Sequence, residues 1–499
     1  MSDKQSKSKP GLPPTSPRAG GRKLPYRDIY AVGDTVQVSA IAKPRRRFRL
    51  PRIRFDRYRY LSASWLAILG FASIVVVGTL VLKLPIAAAA GVPITWSEAI
   101  FTSTSAVTVT GLVVLNTAED FSRFGQITIL LLLQIGGVGF VSLSVLLLRL
   151  IGRRITLQTR FLVQQSVGTG EWNRAGKLAL YILAVTVAFE AVGALLLWLR
   201  WRTMLPDEDA AWLAIFHAVS SFCNAGFDLF AGTAAPTLFG FGADWFTLAT
   251  MAALIILGGF GITVLFDLWA SRTHFRWALN TRFTLLMALA LSTIGFCLFL
   301  LDPFFRTLGG EEYSSVERTS VAAFTIISAR TAGLTIVDLN SISEASQLII
   351  LLWMFIGGAP ASMAGGVSTS TVAVLIFSVL AFARGHNTSV AFQRTLPAET
   401  IAKAVAIMTV GTILCASMTL ILSMRLGLPI FATAFEVVSA FSNTGYSLGI
   451  TNDLDTFSRY LIAFTMFWGR LGPITIVVAL AQSAQPTLIR HPAEPVILG

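Results

Sequence analysis

Long apolar segments constrain the fold of this chain more than any other feature of its sequence. Seven of them have about the 17–25 residues that an α-helix needs to cross a bilayer, whereas an eighth is too long for one span. Four further segments of roughly 14 residues are too short to cross, and each ends in a polar tetrad that contains glycine. The long segments lie near 62–84, 126–150, 176–201, 245–270, 282–301, 346–383, 401–425 and 457–482, and the short ones at 94–107, 210–223, 315–329 and 430–442. The order of span, short helix, polar loop and span therefore occurs four times.

The composition agrees with this arrangement. Of the 499 residues, 54% are hydrophobic and 13% are charged, whereas a soluble domain typically has about 25% charged residues. We therefore predict an all-α polytopic membrane protein with four repeats in pseudo-fourfold symmetry around one pore. Each repeat consists of a first membrane helix (M1), a short pore helix with its loop, and a second membrane helix (M2). The predicted boundaries are 61–155, 170–275, 280–385 and 398–485 for the repeats, and 1–60 and 486–499 for the two tails.

Most of the positive charge precedes the first span. Residues 1–60 hold sixteen Lys and Arg against four Asp, which is +12 of the formal +13. Residues 43–59 interleave arginine with aromatic side chains and end where the first span begins. We interpret this run as a cytoplasmic flank that contacts anionic lipid, in preference to a nucleic-acid site. Basic residues also follow the second, fourth and sixth spans, so both termini of this cell-membrane protein are expected in the cytoplasm and the glycine loops on the outer side.

The four polar loops align on one glycine each. They read VTVTGL, FCNAGF, ARTAGL and FSNTGY, and their glycines are 115, 107 and 112 residues apart. Every M2 carries a small-residue cluster, namely IGGVG, LGGFG, IGGAP or WGRLG. A single glycine loop is usually a helix break, whereas four in register after non-spanning helices predict an ion site. The predicted filter residues are Val109, Thr110, Gly111, Leu112, Asn224, Ala225, Gly226, Phe227, Thr331, Ala332, Gly333, Leu334, Asn443, Thr444, Gly445 and Tyr446.

The physics of a buried loop explains this pattern. Irregular backbone at membrane depth survives only where it is buried or lines a wet cavity. Four loops on one axis can stack rings of carbonyl oxygens that replace the water shell of a cation, and glycine permits the φ values that turn carbonyls inward. Each short helix directs the negative end of its dipole at the ion. Because the loops lack the carboxylates that calcium or magnesium prefers, potassium at the filter is the only metal ion expected.

Several motifs resemble the bacterial Ktr/Trk potassium-uptake family (Trk/Ktr/HKT), and within it the KtrB-type membrane subunit. They are SAVTVTGLVV, QIGGVGF, SARTAGL, GGAPASMAGG, SNTGYSLGIT and FWGRLGP, and the resemblance covers about residues 60–499. It implies potassium uptake through a single-chain pore, a membrane homodimer, and a cytoplasmic KtrA-type nucleotide-binding ring as regulator. The nucleotide is thus expected on the partner, with no organic cofactor in this chain. In the related plant transporters a serine at the first filter glycine accompanies sodium transport, so Gly111 favours potassium.

The over-long segment 346–383 is the predicted gate. Poor helix formers near its middle predict a helix break below the third loop. The resemblance implies an intramembrane loop that plugs the pore until the regulator moves it, and a kink that only relieves packing is the alternative. The gate residues are assigned as Gly357, Gly358, Ala361, Ser362, Ala364, Gly365 and Gly366, together with Arg470 of the last span.

Two arginines lie within or beside the apolar segments. Arg470 occupies the register that Gly137, Gly259 and Gly358 hold in the other repeats. Its charge is permanent and costly in lipid, so we expect it to face the pore as an electrostatic barrier below the filter. The alternative is an arginine that holds two repeats together through a carbonyl or an acid. Arg330, directly before the third loop, is expected to pair with a pore-helix acid.

Two other function classes, a membrane enzyme and a coupled symporter, are alternatives to a channel-like potassium pathway. No span carries the cluster of His, Asp and Glu that catalysis uses, so the chain is not expected to be an enzyme. A sodium- or proton-coupled potassium symporter would share the filter but need a second ion site. Glu190 or Asp228 could provide that site, and both transport modes stay open from the sequence.

Overall fold

The structure is a computed structural model that divides the chain into two compact parts, Met1–Arg59 and Tyr60–Gly499. It describes residues 31–32, 35–36, 63–89, 93–138, 175–230, 244–270, 277–307, 314–360, 362–386 and 388–472. The described residues of the first part form two antiparallel strands, β1 (Ala31–Val32) and β2 (Thr35–Val36). The lipid contact predicted for 43–59 and the C-terminal tail at 486–499 lie outside the described residues.

The second part is helical, and its helices follow the order that the repeats predict. In chain order they are α1 (Ala63–Leu82), α2 (Trp96–Thr108), α3 (Arg123–Val138), α4 (Ala175–Trp201), α5 (Asp207–Cys223), α6 (Trp245–Ala270), α7 (Leu279–Phe299), α8 (Pro303–Thr307), α9 (Ser315–Thr331), α10 (Glu344–Phe355), α11 (Thr369–Ala383), α12 (Ala398–Leu426), α13 (Ile430–Ser442) and α14 (Thr456–Leu471). A short hairpin, β3 (Val390–Ala391) and β4 (Arg394–Thr395), connects the third and fourth repeats.

Three of the M1 helices are long and apolar enough to cross a membrane, namely 181–201 within α4, α7 and α12. The M2 helix α6 also qualifies if its two halves, bent by 97° near Gly261, count as one span. Large apolar side chains on these helices face outward, for example Leu289, which is 70% exposed. Such a surface is unfavourable in water and suits a lipid environment.

The pore helices begin and end where their sequences dictate. Thr95 and Ser314 each form a capping box with the glutamate three residues later, which satisfies free N–H groups at the start of α2 and α9. The helices α2, α5 and α13 each end at a residue in the left-handed conformation. The core packs around these helices, and the phenylalanines near their middles are 0–1% exposed (Phe101, Phe216, Phe324 and Phe435).

Each predicted M2 helix packs on the predicted pore helix of the following repeat. The contacting pairs are α3 with α5, α6 with α9, α10 with α13, and α14 with α2, so the fourth repeat returns to the first. Two ion pairs join an M2 to the next pore helix in this way, Arg123 with Asp209 at 3.1 Å and Arg459 with Glu98 at 3.3 Å. The first pair is exposed and contributes little to stability.

The structure has a helix break within the over-long segment 346–383. The helix α10 ends at Phe355 and α11 starts at Thr369. Between them, the Gly357 N–H donates to the Val367 carbonyl at 2.9 Å, so the connecting segment leaves and returns at the same place. We call residues 356–368 the intramembrane loop. Of its assigned gate residues, Ala361 lies outside the described residues.

Candidate functional site

Four glycines belong to the loops that the sequence predicts as a filter, and we call them the filter glycines and their loops the filter loops. All four have backbone angles that favour glycine. Their φ values are 87° (Gly111), 70° (Gly226), 63° (Gly333) and 97° (Gly445). Two residues before the glycine, the first, second and fourth loops also adopt positive φ, at Val109, Asn224 and Asn443. A β-branched residue rarely adopts this conformation, so the surrounding packing must enforce it at Val109.

The third loop departs from the strict alignment. Its pore helix continues to Thr331, and Ala332 caps it with a φ of −110° instead of a left-handed value. The sequence already indicates this shift, because Phe324 stands nine residues before its glycine whereas the other three phenylalanines stand ten before theirs. Thr331 therefore belongs to a helix, although it was predicted within the loop.

The filter loops form a closed ring. A Cβ atom added to any filter glycine would come within 3.0 Å of a carbonyl oxygen in the next loop. The glycine and carbonyl pairs are Gly111 with Ala225, Gly226 with Ala332, Gly333 with Thr444 and Gly445 with Thr110. Each oxygen belongs to the residue directly before the next glycine, and the fourth loop returns to the first. At these four positions glycine is therefore required for two reasons, because a Cβ has no space beside the carbonyl of the next loop and because other residues rarely adopt the positive φ.

One cavity of about 400 Å³ lies against this ring, and all four filter glycines line it. Asp228 and Asp338 also line it. Asp338 accepts hydrogen bonds from the N–H of Asn340 and the hydroxyl of Ser341 at 3.0 and 3.1 Å. The four loops thus meet at a shared space whose acidic side chains attract cations.

A pore-helix serine supports each filter loop. The N–H of Gly111 donates to Ser105 Oγ at 3.1 Å, and that of Gly445 donates to Ser439 Oγ at 3.0 Å. In the other two loops the hydroxyl donates to a carbonyl, from Ser220 to Phe227 at 2.6 Å and from Ser328 to Leu334 at 2.9 Å. These serines were not predicted as site residues, although a serine recurs five or six residues before every filter glycine.

The fourth loop has a further support, which was not predicted from the sequence. Glu436 in α13 is 1% exposed and accepts hydrogen bonds from Ser447 Oγ at 2.7 Å and from the Thr451 hydroxyl. The Tyr446 hydroxyl donates to the carbonyls of Thr325 and Leu334, both at 3.3 Å. These contacts tie the fourth loop to its own pore helix and to the third repeat.

Glycines in the M2 helices allow the pore helices to approach. A Cβ on Gly136, Gly258 or Gly469 would collide with the carbonyl of Val107, Phe222 or Phe441 respectively, each four residues before a filter glycine. In the third repeat the matching Gly357 instead faces the Gly365 carbonyl of the intramembrane loop. In the third repeat the M2 glycine therefore contacts the intramembrane loop, whereas in the other three repeats it contacts the end of a pore helix.

The intramembrane loop contacts two other repeats. The N–H groups of Ala359 and Met363 donate to the carbonyls of Gly259 and Gly258 in α6, at 3.0 and 3.4 Å. On its other side, a Cβ on Gly365 would collide with Asn443 Oδ1 at the start of the fourth filter loop. The loop therefore lies directly against the filter.

Arg470 holds this arrangement together. Its guanidinium donates to the Met363 carbonyl in the intramembrane loop and to the Gly136 carbonyl in α3, the latter at 2.5 Å. These contacts agree with the alternative of an arginine that joins repeats through carbonyls. The acid partner expected for Arg330 is not found among the described residues, and its Nε atom has no hydrogen-bond partner there.

The two acids predicted as candidates for a second ion site have different surroundings. Asp228 lines the cavity beside the filter glycines and accepts a hydrogen bond from the Phe230 N–H at 3.1 Å. Glu190 is buried in α4 and bonds to Gln134 of α3. Within the described ranges, no group of three or more His, Cys, Asp or Glu could hold a metal ion.

Comparisons with known proteins agree on one family. The family described as "TrkH: Cation transport protein" matches residues 66–489. The chain is 33% identical to Ktr system potassium uptake protein B of Bacillus subtilis over 445 residues, which are 88% of this chain and 97% of that protein. It is 32% identical to the potassium/sodium uptake protein NtpJ of Enterococcus hirae, over 88% of this chain and 98% of that protein.

A solved structure has a similar fold. The crystal structure of the potassium transporter TrkH from Vibrio parahaemolyticus aligns with a TM-score of 0.67 and 19% sequence identity, over 86% of each chain. At this identity the likeness concerns the fold. It agrees with the helical, multi-pass architecture described above.

Proposed function

Because this chain belongs to the TrkH family of cation transport proteins, we propose that it takes up potassium across the cell membrane through one filter of four loops with pseudo-fourfold symmetry. The observation that carries the proposal is the closed ring in which each filter glycine abuts the carbonyl preceding the next one. The names of the relatives, which include potassium uptake, support the choice of ion. The function is transport, and no enzymatic step is assigned.

The ion-binding backbone comes from the sixteen filter residues predicted from the sequence, except Thr331, which lies in α9, and the carbonyls of Phe227 and Leu334, which accept hydrogen bonds from serines. The remaining carbonyl oxygens replace the hydration shell of potassium, which is large and easily dehydrated. The supporting serines and Glu436 hold the loops from behind, so the carbonyls keep their spacing when an ion leaves. The acids of the outer cavity concentrate cations at the entrance.

The intramembrane loop gates this pathway. It lies between α6 and the start of the fourth filter loop, and Arg470 secures it. Its small residues keep it narrow enough to pack below the filter and to move away. A cytoplasmic nucleotide-binding ring of the KtrA type moves the loop, and the "Ktr system" in the names of several relatives supports such a further component.

The remaining parts of the proposal concern topology and assembly. The four repeats keep the boundaries predicted above, both termini are cytoplasmic, and the basic segment at 43–59 contacts anionic lipid. Two copies of the chain form a homodimer in the membrane. These features rest on the charge distribution and on the family membership.

A sodium-coupled symporter is the second candidate, because one relative is named a potassium/sodium uptake protein. Potassium flux from purified protein in liposomes, measured against membrane potential with and without sodium, separates the two. A channel-like pathway predicts flux that follows the potassium gradient and potential and ignores a sodium gradient. Uphill potassium movement driven by sodium would favour the symporter, and equal sodium and potassium permeation would contradict the filter.

A further inference from the structure

Each pore helix carries a polar side chain directly after its buried phenylalanine. In the second and fourth repeats this residue is His217 or Glu436, which are 0% and 1% exposed. In the first and third repeats it is a buried threonine, Thr102 or Thr325. Burial of a polar side chain is costly unless the side chain forms hydrogen bonds, so the partners of the two larger residues indicate what they do there.

His217 forms hydrogen bonds in two directions. Its Nδ1 lies 2.7 Å from the Leu213 carbonyl, one turn earlier in α5, and the Leu229 N–H donates to its Nε2 at 3.4 Å. A carbonyl can only accept a hydrogen bond and a backbone N–H can only donate one. Nδ1 therefore carries the proton and Nε2 does not, so the imidazole is neutral and has a single tautomer.

Two aromatic rings pack against the imidazole of His217. Phe230 stacks on it, with ring centroids 4.5 Å apart and an interplanar angle of 28°. The buried indole of Trp201 lies nearly perpendicular to it at 5.4 Å, and Trp201 Nε1 donates to Thr247 of α6 at 3.0 Å. Because the imidazole cannot turn without displacing these neighbours, its acceptor nitrogen stays directed at Leu229.

The segment that His217 holds leads from the second filter loop along the cavity beside the filter glycines. Asp228 is half-buried, lines this cavity and accepts a hydrogen bond from the Phe230 N–H at 3.1 Å. His217 contacts both residues that follow Asp228, Leu229 through a hydrogen bond and Phe230 through stacking. The position of the Asp228 carboxylate therefore depends on His217.

Glu436 forms a matching contact in the fourth repeat. Ser447 stands two residues after its filter glycine, as Asp228 does, and it donates to Glu436 at 2.7 Å and also lines the cavity. In the ring of filter glycines the second and fourth loops lie opposite each other. Two opposite loops are thus fixed to their own pore helices from the same position, one by an imidazole and one by a carboxyl group.

We propose that His217 is a positioning residue for potassium entry, which as a neutral hydrogen-bond acceptor holds the segment after the second filter glycine so that the Asp228 carboxylate faces the cavity. The inference rests on the proposed potassium pathway and adds a residue that determines how well potassium is captured at low concentration. A carboxylate beside a cavity that opens at the surface is ionised at neutral pH, and its charge raises the local concentration of cations.

This role predicts a particular kind of defect. Salt screens exposed charges beyond about 10 Å at 0.1 M and beyond about 3 Å at 1 M ionic strength. A displaced Asp228 should therefore raise the half-saturating potassium concentration at low ionic strength and matter little at high ionic strength. A general loss of folded protein would instead lower the maximal flux at every ionic strength.

The test compares His217→Phe with His217→Gln. Phenylalanine keeps an aromatic ring but has no acceptor for the Leu229 N–H, whereas the side-chain oxygen of glutamine can take the place of Nε2. Potassium flux of purified protein in liposomes is measured against potassium concentration, with choline chloride setting the ionic strength to about 0.1 M or about 1 M. At the lower value we expect the Phe variant to raise the half-saturating concentration about two- to tenfold for one lost hydrogen bond, and the Gln variant to stay close to wild type. At the higher value the difference should largely disappear.

The two acids of the cavity provide a matched control. Asp228→Asn should raise the half-saturating concentration at least as much as His217→Phe does, and His217→Phe should add nothing to it, because both changes remove the same attraction. Asp338 is held by its own turn through Asn340 and Ser341. The effects of Asp338→Asn and His217→Phe should therefore multiply.

The inference is wrong if His217→Phe leaves the half-saturating concentration unchanged, if its effect is equal at both ionic strengths, or if it multiplies with that of Asp228→Asn. Equal losses in folded Phe and Gln variants would show that the imidazole only fills space. If the Phe variant does not fold, a wild-type potassium dependence of Asp228→Asn at low ionic strength refutes the inference by itself. Absence of potassium-selective flux in the wild type would instead refute the proposed function.

Discussion

Replacing Arg470 with alanine should raise potassium flux, because this side chain secures the intramembrane loop. The guanidinium donates to the Met363 carbonyl in the loop and to the Gly136 carbonyl in α3. A hydrogen bond that involves a charged group contributes about 1.5–3 kcal/mol. Loss of the bond to Met363 should therefore shift the equilibrium between closed and open loop by roughly 10- to 150-fold.

The charge of Arg470 adds a second effect. For a guanidinium that faces the ion at an assumed separation of about 5 Å, with an effective dielectric near 20, repulsion of potassium is roughly 3 kcal/mol, or about two orders of magnitude in crossing rate. Arg470→Lys separates the two effects. Lysine keeps the charge, but its compact ammonium cannot reproduce the planar, two-sided contact of the guanidinium. We expect flux of the lysine variant to lie between those of wild type and alanine.

Flux from purified protein in liposomes at a fixed potassium gradient measures both variants. The potassium-to-sodium ratio should not change, since the filter carbonyls are untouched. Arg425→Ala is the control, because it removes an arginine that pairs with Asp455 at the far end of α12. A folded Arg470→Ala protein with wild-type or lower flux would refute both effects, the hydrogen bond that secures the intramembrane loop and the repulsion of potassium by the guanidinium.

Three further predictions concern single contacts. Gly365→Ala should raise flux, because the added Cβ would occupy the place of Asn443 Oδ1 and keep the intramembrane loop from closing. Gly259→Ala is the control and should not raise flux, because the nearest atoms to its added Cβ are 3.7 and 3.8 Å away. Equal fluxes of the two variants would argue against a loop gate. Glu436→Gln should lower the potassium-to-sodium flux ratio roughly fivefold, because the variant loses about 1 kcal/mol of hydrogen bonding behind the fourth loop. An unchanged ratio would show that ion selectivity does not depend on the Glu436 carboxylate. Burial acts to raise the pKa of Asp302, but hydrogen bonds from Ser343 and Ser346 outweigh it and lower the pKa below 3.8. The ionised Asp302 carboxylate therefore stabilises the folded protein above pH 3.8, and this stabilisation is lost as the pH falls through the lowered pKa. The melting temperature of the wild type should thus fall more steeply on acidification than that of Asp302→Asn, and parallel curves would contradict this assignment.

The helices could be predicted from the sequence because each depends on local signals. Apolar length separates spanning from non-spanning segments, and the predicted 430–442 is the observed α13 (Ile430–Ser442). The predicted 315–329 is two residues short of α9, which ends at Thr331. The capping boxes at Thr95 and Ser314 act over three residues and are visible in the sequence.

The contacts that join the repeats could not be predicted in the same way. Arg470 bonds to carbonyls 107 and 334 positions away along the chain, and a backbone carbonyl has no sequence signature. The same holds for Gly445 against the Thr110 carbonyl. The identity of these residues indicates that they have a role, but only the packing of distant segments decides which partner each one meets.

The central claim, a filter of four glycine loops, is tested most directly by the potassium-to-sodium permeability ratio of Gly111→Ser, Gly226→Ser and Gly445→Ser in liposomes. A side chain at positive φ costs about 1–2 kcal/mol, and a Cβ at these positions also meets the carbonyl of the next loop. The ratio should therefore fall about tenfold in each variant. It should stay at the wild-type value in Gly427→Ser, whose φ of 66° is equally unfavourable but which has open space around it. Wild-type discrimination in all three filter variants would contradict the fourfold filter.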